Sequence, residues 1–333
     1  MEASLTATTR PRTILVSLLL ICLAAAGACG PSAAQGVSLA PPNAATIGAR
    51  GPVLPNPGNP GISRQQQIQA GDKAAQQIYQ QMPIVPASNP VTQYVQRLGR
   101  QLVAQIPPQE SWPYQFHVVG QKDINAFALP GGQVFINLGA ITAAANAAEL
   151  AGVMAHEMSH VYLQHSAKMA VQSQRTQGLA ALGSGILGAI LGRGAASTIA
   201  GTAINIGAGL YELKYSRADE AQADATGAVI MYKAGYSPRA LAEFFQKIEQ
   251  QGGAGAPQFL SDHPDPGNRI AAVDHEVASW PPEHFITNTP AFATAHRQAQ
   301  GLRAYTAQQI AANAKSGYWA HFNQQHGAVF KPR

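Results

Sequence analysis

Residues 154–160 read Met-Ala-His-Glu-Met-Ser-His within a run, Leu150–Leu163, whose other side chains are mostly apolar. Leu150, Val153, Met154, Met158, Val161 and Leu163 spread around the circumference of a helix, and a helix that is apolar nearly all round is buried. A strongly polar group buried without a partner costs several kcal/mol, roughly 2–7. His156, Glu157 and His160 therefore need partners in the interior, and this limits how the rest of the chain can fold. His156 and His160 lie on one helical face, a single turn apart. Two imidazoles so placed can share one small cation, and Zn2+ accepts nitrogen ligands in a tetrahedral set. Glu157 lies off their axis, placed to draw a proton from water at the metal and not to bind the metal itself.

This is H-E-x-x-H on a helix, the zinc-peptidase signature. The longer metzincin pattern needs a glycine three residues past the second histidine and another histidine three further on. Those positions hold Leu163 and Ser166, so that class is excluded. His165, five residues past His160, is turned away from the ligand face and reads as a helix-end cation near the last carbonyls. A better third ligand lies in YSRADEAQADATGAVIMYKAGY, residues 215–236, which reads as a helix with Glu220 and Asp224 on one face. Glu220 is the candidate carboxylate ligand of a His2Glu site. Asp224, one turn on, can accept a hydrogen bond from the far nitrogen of a ligand histidine. The bland reading of this pair, a solvated face neutralised by Arg217, fits poorly with the apolar Ala228–Met231 that follows.

Around this centre the chain divides into four parts. In residues 1–28, Arg10 and Arg12 precede an apolar run from Ile14 to Ala28, too short to span a bilayer comfortably and ending in small residues, as a signal peptide does. Cys29 follows Ala26-Gly27-Ala28, a lipobox-like setting that would give a lipid anchor; cleavage after Ala34 is the competing reading. Of the two cysteines, Cys22 would leave with the signal, so no intramolecular disulfide is expected. Residues 29–62, rich in Pro, Gly and Asn, read as a tether. Residues 63–280 carry the motifs, and 281–333 form a C-terminal tail with a polar helix over 291–313 and no assignable role. The net charge is +5, but the 22 basic residues are scattered, so no nucleic-acid partner is expected.

Helical periodicity appears in RQQQIQAGDKAAQQIYQQM after a possible cap at Ser63, and in NPVTQYVQRLGRQLVAQI, where Val91, Tyr94, Val95, Leu98, Leu102 and Ile106 recur on one side. YQFHVVG alternates like a strand, and INAFALPGGQVFIN reads as two strands around a Leu-Pro-Gly-Gly turn. A helix over 146–165 with Asn146 as cap follows. The order predicts an α+β fold, mainly helical, with a small sheet or hairpin beside the active-site helix. An exposed edge strand in that hairpin could bind an extended peptide by backbone pairing. Residues 178–210 are long, apolar and Gly-rich, but Arg193 splits them into pieces too short to span a bilayer. They read as two close-packed helices forming a lid, or as a hairpin dipping into a membrane.

AHEMSHVYLQH, YSRADEAQADATG, NAFALPGGQVFINLGAI and SDHPDPGNRI together resemble the landmark segments of one zinc metalloendopeptidase family. That family includes the CAAX prenyl protease, the bacterial heat-shock membrane protease and the mitochondrial Oma-type protease. The chain is most similar to its periplasmic branch, typified by the β-barrel-assembly-enhancing protease, although no tetratricopeptide repeat follows residue 280. The resemblance implies a gluzincin domain with one Zn2+ held by His156, His160 and Glu220, Glu157 as general base, and Asp224 as supporting acid. His263 and Arg269, in SDHPDPGNRI, would approach the site. Either could stabilise the oxyanion, His263 could instead block the open metal position in a latent state, and Arg269 could simply pair with Asp224. The expected function is that of an exported, periplasmic endopeptidase, with Cys29 as its candidate lipid anchor to the outer membrane. It would act on unfolded or mis-assembled envelope polypeptides bound as extended strands. The alternative is a chaperone-like or scaffold lipoprotein with a structural or latent zinc site.

Overall fold

Ser63 opens the first helix among the described residues. Its hydroxyl accepts from the Gln66 amide while the Gln66 side chain accepts from the Ser63 amide, a reciprocal cap that opens α1 (Arg64–Gln81). Asn89 caps α2 (Pro90–Val103), whose apolar stripe from Val91 to Leu102 is buried as its spacing predicts. The computed structural model describes residues 47–48, 51–177, 215–251, 258–263, 269–314 and 316–333. The expected signal segment, Cys29 and the apolar run 178–210 lie outside the described residues. Among those residues, no helix is long and apolar enough to cross a membrane.

The sheet at the centre has four strands in the order β3 (Ile84–Val85), β4 (Gln115–Val119), β6 (Gln133–Asn137), β5 (Ala126–Leu129). β5 and β6 form the expected antiparallel hairpin, with Phe127 opposite Phe135. β4 runs parallel to β6, with His117 opposite Phe135. Gly131 turns the hairpin at φ +76°, and a Cβ there would come within 2.5 Å of the Ile68 backbone, so the turn nests against α1 only because the residue is glycine.

Side chains alternate across a strand, and here both faces are covered. Phe116, Val118, Ala128, Val134 and Ile136 join the core with α2 and with α4 (Ala147–Tyr162). Val119, Phe127, Leu129 and Phe135 face α1 and two helices of the C-terminal tail, α11 (Ala307–Ala314) and α12 (Tyr318–Gln325). The architecture is α+β, as the element order predicts, with the sheet sandwiched between helices.

α4 is buried along its whole length. Asn146 caps it through the Glu149 amide at 2.9 Å. It crosses α7 (Arg239–Gln251) at Gly152, where a Cβ would lie 2.9 Å from the Leu241 Cα. It also lies along α6 (Arg217–Lys233), which opens with its own cap at Ser216. The helix expected over 146–165 instead ends at Leu163, because Gln164 takes φ 58° and breaks it. A separate helix, α5 (His165–Gln177), starts immediately.

Two further expectations need correcting. From Gly51 onward the stretch read as a tether is fastened to the domain at several points, although Val53, Asn56, Gly58, Asn59 and Gly61 are exposed. Ile47–Gly48 and Gly51–Pro52 (β1 and β2) pair antiparallel, and Leu54 lies against the core. Tyr162 donates to the Pro55 carbonyl at 2.8 Å, and Gln164 donates to that of Gly58 at 3.0 Å. Polar groups at the end of α4 thus bind the carbonyls of a stretch that proline already holds extended. The tail, for its part, is core: Tyr305, Ile310 and Trp319 are buried, and the Asn323 side chain donates to the Tyr79 and Met82 carbonyls at 2.6 and 2.8 Å. The polar helix expected over 291–313 is two helices, α10 (Pro290–Gln300) and α11, separated at 301–306.

Trp319 is fully buried, and its indole N–H donates to the Ile310 carbonyl at 2.9 Å. Trp319→Ala is expected to lower stability by about 3–5 kcal/mol, the usual cost of emptying a large aromatic site. Urea unfolding followed by far-UV circular dichroism checks this, and a loss under about 1 kcal/mol would remove the tail from the core.

Candidate metal centre

Helical spacing on α4 brings His156 and His160 together, with ring centroids 4.7 Å apart and Nε2 atoms 3.0 Å apart. α6 supplies Glu220 from the facing helix. Its carboxylate oxygens lie 3.3 Å from His156 Nε2 and 3.5 Å from His160 Nε2. A fourth group completes the cluster: His263, just after the short helix α8 (Gln258–Asp262), places Nδ1 3.2 Å from His156 Nε2 and 3.1 Å from Glu220. One donor atom from each of the four residues lies within 4.8 Å of every other, and all four residues are buried.

The chemistry of this donor set fits a zinc ion. Asp224 Oδ1 sits 2.9 Å from His156 Nδ1, so a proton on Nδ1 leaves the Nε2 lone pair facing the cluster. His160 is oriented in the same way by a partner that sequence reasoning placed elsewhere. His165 Nδ1 is 2.9 Å from His160 Nδ1. His165 is not a helix-end cation. The break at Gln164 puts it at the start of α5, folded back on His160, and burial lowers its imidazole to about 4. The Tyr215 ring stacks on the other side of His160 at 3.9 Å, with its hydroxyl 2.8 Å from Ser166 Oγ. Tyr215 begins the YSRADE segment, but nothing in its spacing marks it as a partner of His160.

Arg269, on α9 (Arg269–Ala278), pairs with both carboxylates through two of its three nitrogens, while Nη1 is buried without a partner among the described residues. Its Nε donates to Asp224 Oδ2 at 2.6 Å and its Nη2 to Glu220 Oε2 at 2.9 Å, while the guanidinium lies 4.0 Å over the Phe245 ring. Of the roles open to it from sequence, this geometry is the pairing one. It holds both acids in place.

Glu157 is buried but is not among the four clustered donors. Its Oε1 is 3.3 Å from His263 Nε2, a charge contact without hydrogen-bond geometry, and the backbone of Ala128 on β5 hydrogen-bonds the carboxylate. Burial pushes its carboxyl up to about 8, with His263 opposing. Burial would lift Glu220 too, but His263, His160 and His156 hold it well below the usual carboxylate range. Burial would lower His156, yet Asp224 and Glu220 raise it. In His160 burial prevails and the imidazole falls well below its ordinary value.

The hairpin stands beside this cluster. β5 is the edge strand of the sheet, as the peptide-pairing expectation requires, but it is not exposed: Ala126, Phe127, Ala128 and Leu129 are all buried. α8 is fastened to the segment just before it. Phe259 N–H donates to the Ile124 carbonyl at 3.2 Å, and Asn125 Nδ2 donates to Asp262 at 2.9 Å. The segment that delivers His263 is thus tied to the chain entering β5.

Comparison with known proteins agrees with this geometry. The sequence pattern described as Peptidase family M48 matches residues 89–277, which include every residue of the cluster. The chain is 29% identical over 267 residues to a putative beta-barrel assembly-enhancing protease of Vibrio cholerae, an alignment covering 79% of this chain and 52% of that protein. It is 31% identical over 216 residues to the beta-barrel assembly-enhancing protease of Escherichia coli K12 (63% and 43%). To the mitochondrial metalloendopeptidase OMA1 of Bos taurus it is 33% identical over 167 residues (48% and 32%). The chain thus spans about half the length of the bacterial relatives.

His165→Ala is expected to weaken zinc retention by about tenfold to a hundredfold, the usual effect of removing a ligand's outer partner. His165→Asn, which keeps a polar group near Nδ1, should recover part of the loss. Competition with a chromogenic chelator measures both, and unchanged affinity in the alanine variant would show that the 2.9 Å contact does not orient His160.

Proposed function

Because the chain belongs to peptidase family M48, we propose that it is a zinc-dependent endopeptidase whose described state is closed by His263. The observation that carries this reading is the placement of Glu157, buried next to a four-donor cluster and outside it. His156, His160 and Glu220 would hold the ion. When bound, zinc supplies Lewis acidity towards a peptide carbonyl and the attacking water. Glu157 takes the proton from that water and hands it to the leaving amine. Asp224 and His165 keep the two imidazoles turned inward, and Arg269 fixes the carboxylates.

His263 fills the place that a substrate carbonyl would need. Its Nδ1 faces the donor cluster and its Nε2 faces Glu157, so one side chain occupies both the open corner and the base. On this reading, withdrawal of His263 loosens α8 from the β5 entry and opens the edge strand to an extended substrate. The names of the bacterial relatives support clients among assembling envelope proteins, and the signal-like residues 1–28 support export to the periplasm, with Cys29 as a possible lipid anchor. One observation favours a second reading. Four protein donors in a closed, buried set are typical of structural zinc, as in a scaffold or chaperone-like lipoprotein.

His263→Ala separates the two readings. A closed peptidase should cleave casein several-fold faster once the histidine is removed, whereas a structural site should lose stability and stay inactive. Glu157→Gln in the same background should cut cleavage by at least about a hundredfold while zinc content by metal analysis stays the same. Equal cleavage with and without Glu157 would remove the enzyme reading, and stripping zinc with a chelator should abolish cleavage reversibly.

A further inference from the structure

A cavity of about 600 Å³ opens beside the first half of β4, lined by none of the metal-centre residues. Its size falls in the usual range of binding pockets, roughly 300–1,000 Å³. One wall is the strand itself. β3 pairs only with Val118 and Val119, and the chain then turns away at Pro86, leaving Gln115–His117 beyond its end. Gly120 donates to the Pro83 carbonyl on the β3 side at 2.8 Å. Backbone groups alternate along a strand, so Phe116, in phase with Gly120, turns its N–H and C=O to that same side. Ala87 and the α2 residue Arg100 form a second wall, and Gly327, Val329 and Lys331 of the C-terminal segment form the third. Arg100 and Lys331 are exposed, and no carboxylate occurs among the described lining residues. Val329, 61% exposed, gives the rim an apolar contact.

From these features we propose that the cavity binds an acidic, extended segment of another polypeptide as an added strand on β4. Main-chain pairing at Phe116 continues the sheet where β3 stops. Arg100 and Lys331 select carboxylate side chains by charge, and Val329 covers an apolar residue of the same segment. Such a site would hold a polypeptide on the protein away from the metal centre. It does not rest on the peptidase reading, because binding can be measured without cleavage.

The test uses the full chain carrying Glu157→Gln and a fluorescein-labelled, end-blocked peptide of alternating Val and Glu, with its Val-Lys counterpart as comparison. Fluorescence anisotropy should show saturable binding of the acidic peptide, at least tenfold tighter than the basic one. Arg100→Glu combined with Lys331→Glu should weaken it about tenfold, in keeping with two exposed charge pairs. N-methylation at alternate peptide bonds, which leaves the charges intact, should weaken it comparably. The proposal is overturned if the acidic peptide does not bind, if the two peptides bind equally, or if either the charge reversal or N-methylation leaves the affinity unchanged.

Discussion

Buried charge needs buried countercharge, and one such cluster sets the positions of four helices. Glu220 and Asp224 would each cost several kcal/mol if left alone in the interior. Each is met by groups from other elements: His156 from α4, His263 from beyond α8, and Arg269 from α9. His160 reaches His165 on α5. Removing one partner from such a set typically costs about 3–5 kcal/mol, because the other is stranded. The cluster therefore locks the relative placement of α4, α5, α6 and α9 as firmly as an apolar contact would, and far more directionally. The donor geometry for a metal and the packing of the helices are one arrangement.

The sheet supplies the other half of the setting. Its inner face packs on α4, and its edge strand carries the Ala128 backbone to Glu157. Its outer face is closed by α1 and the tail. A sheet held between two layers gives the motif helix a fixed floor, and the segment carrying His263 is tied to the chain entering its edge strand. On the proposed peptidase reading, fixed ligands and a displaceable cover are thus segregated.

Much of this was legible in the residues. His156 and His160 could be paired from their i,i+4 spacing, and the family resemblance joined the candidate ligand Glu220 to them. The caps at Ser63 and Asn146 and the hairpin around Gly131 are local signals of the same kind. The break at Gln164 was not legible, because a glutamine in the left-handed region carries no mark in the sequence. That one residue reversed the reading of His165. The sequence offered two roles for His263, oxyanion donor and block on the metal position, but not its placement. That placement depends on contacts between residues 124–125 and 259–262, which no periodicity reports. The tail looked polar because its buried residues, Phe292, Tyr305, Ile310 and Trp319 among them, are few and widely spaced.

The closure of the outer face by the last helices has a consequence for how the chain matures. Asn323 donates to the carbonyls of Tyr79 and Met82, and its Oδ1 accepts from the Ile84 amide, across more than two hundred residues. A polypeptide emerging amino-terminus first from a ribosome or a translocation pore can assemble the hairpin and the metal-ligating helices early. Val119, Phe127, Leu129 and Phe135 nevertheless lie under α1 alone until residues 307–325 arrive. Closure of this face therefore waits on that segment, and during the interval a half-covered β-surface is available to holdase chaperones or to aggregation.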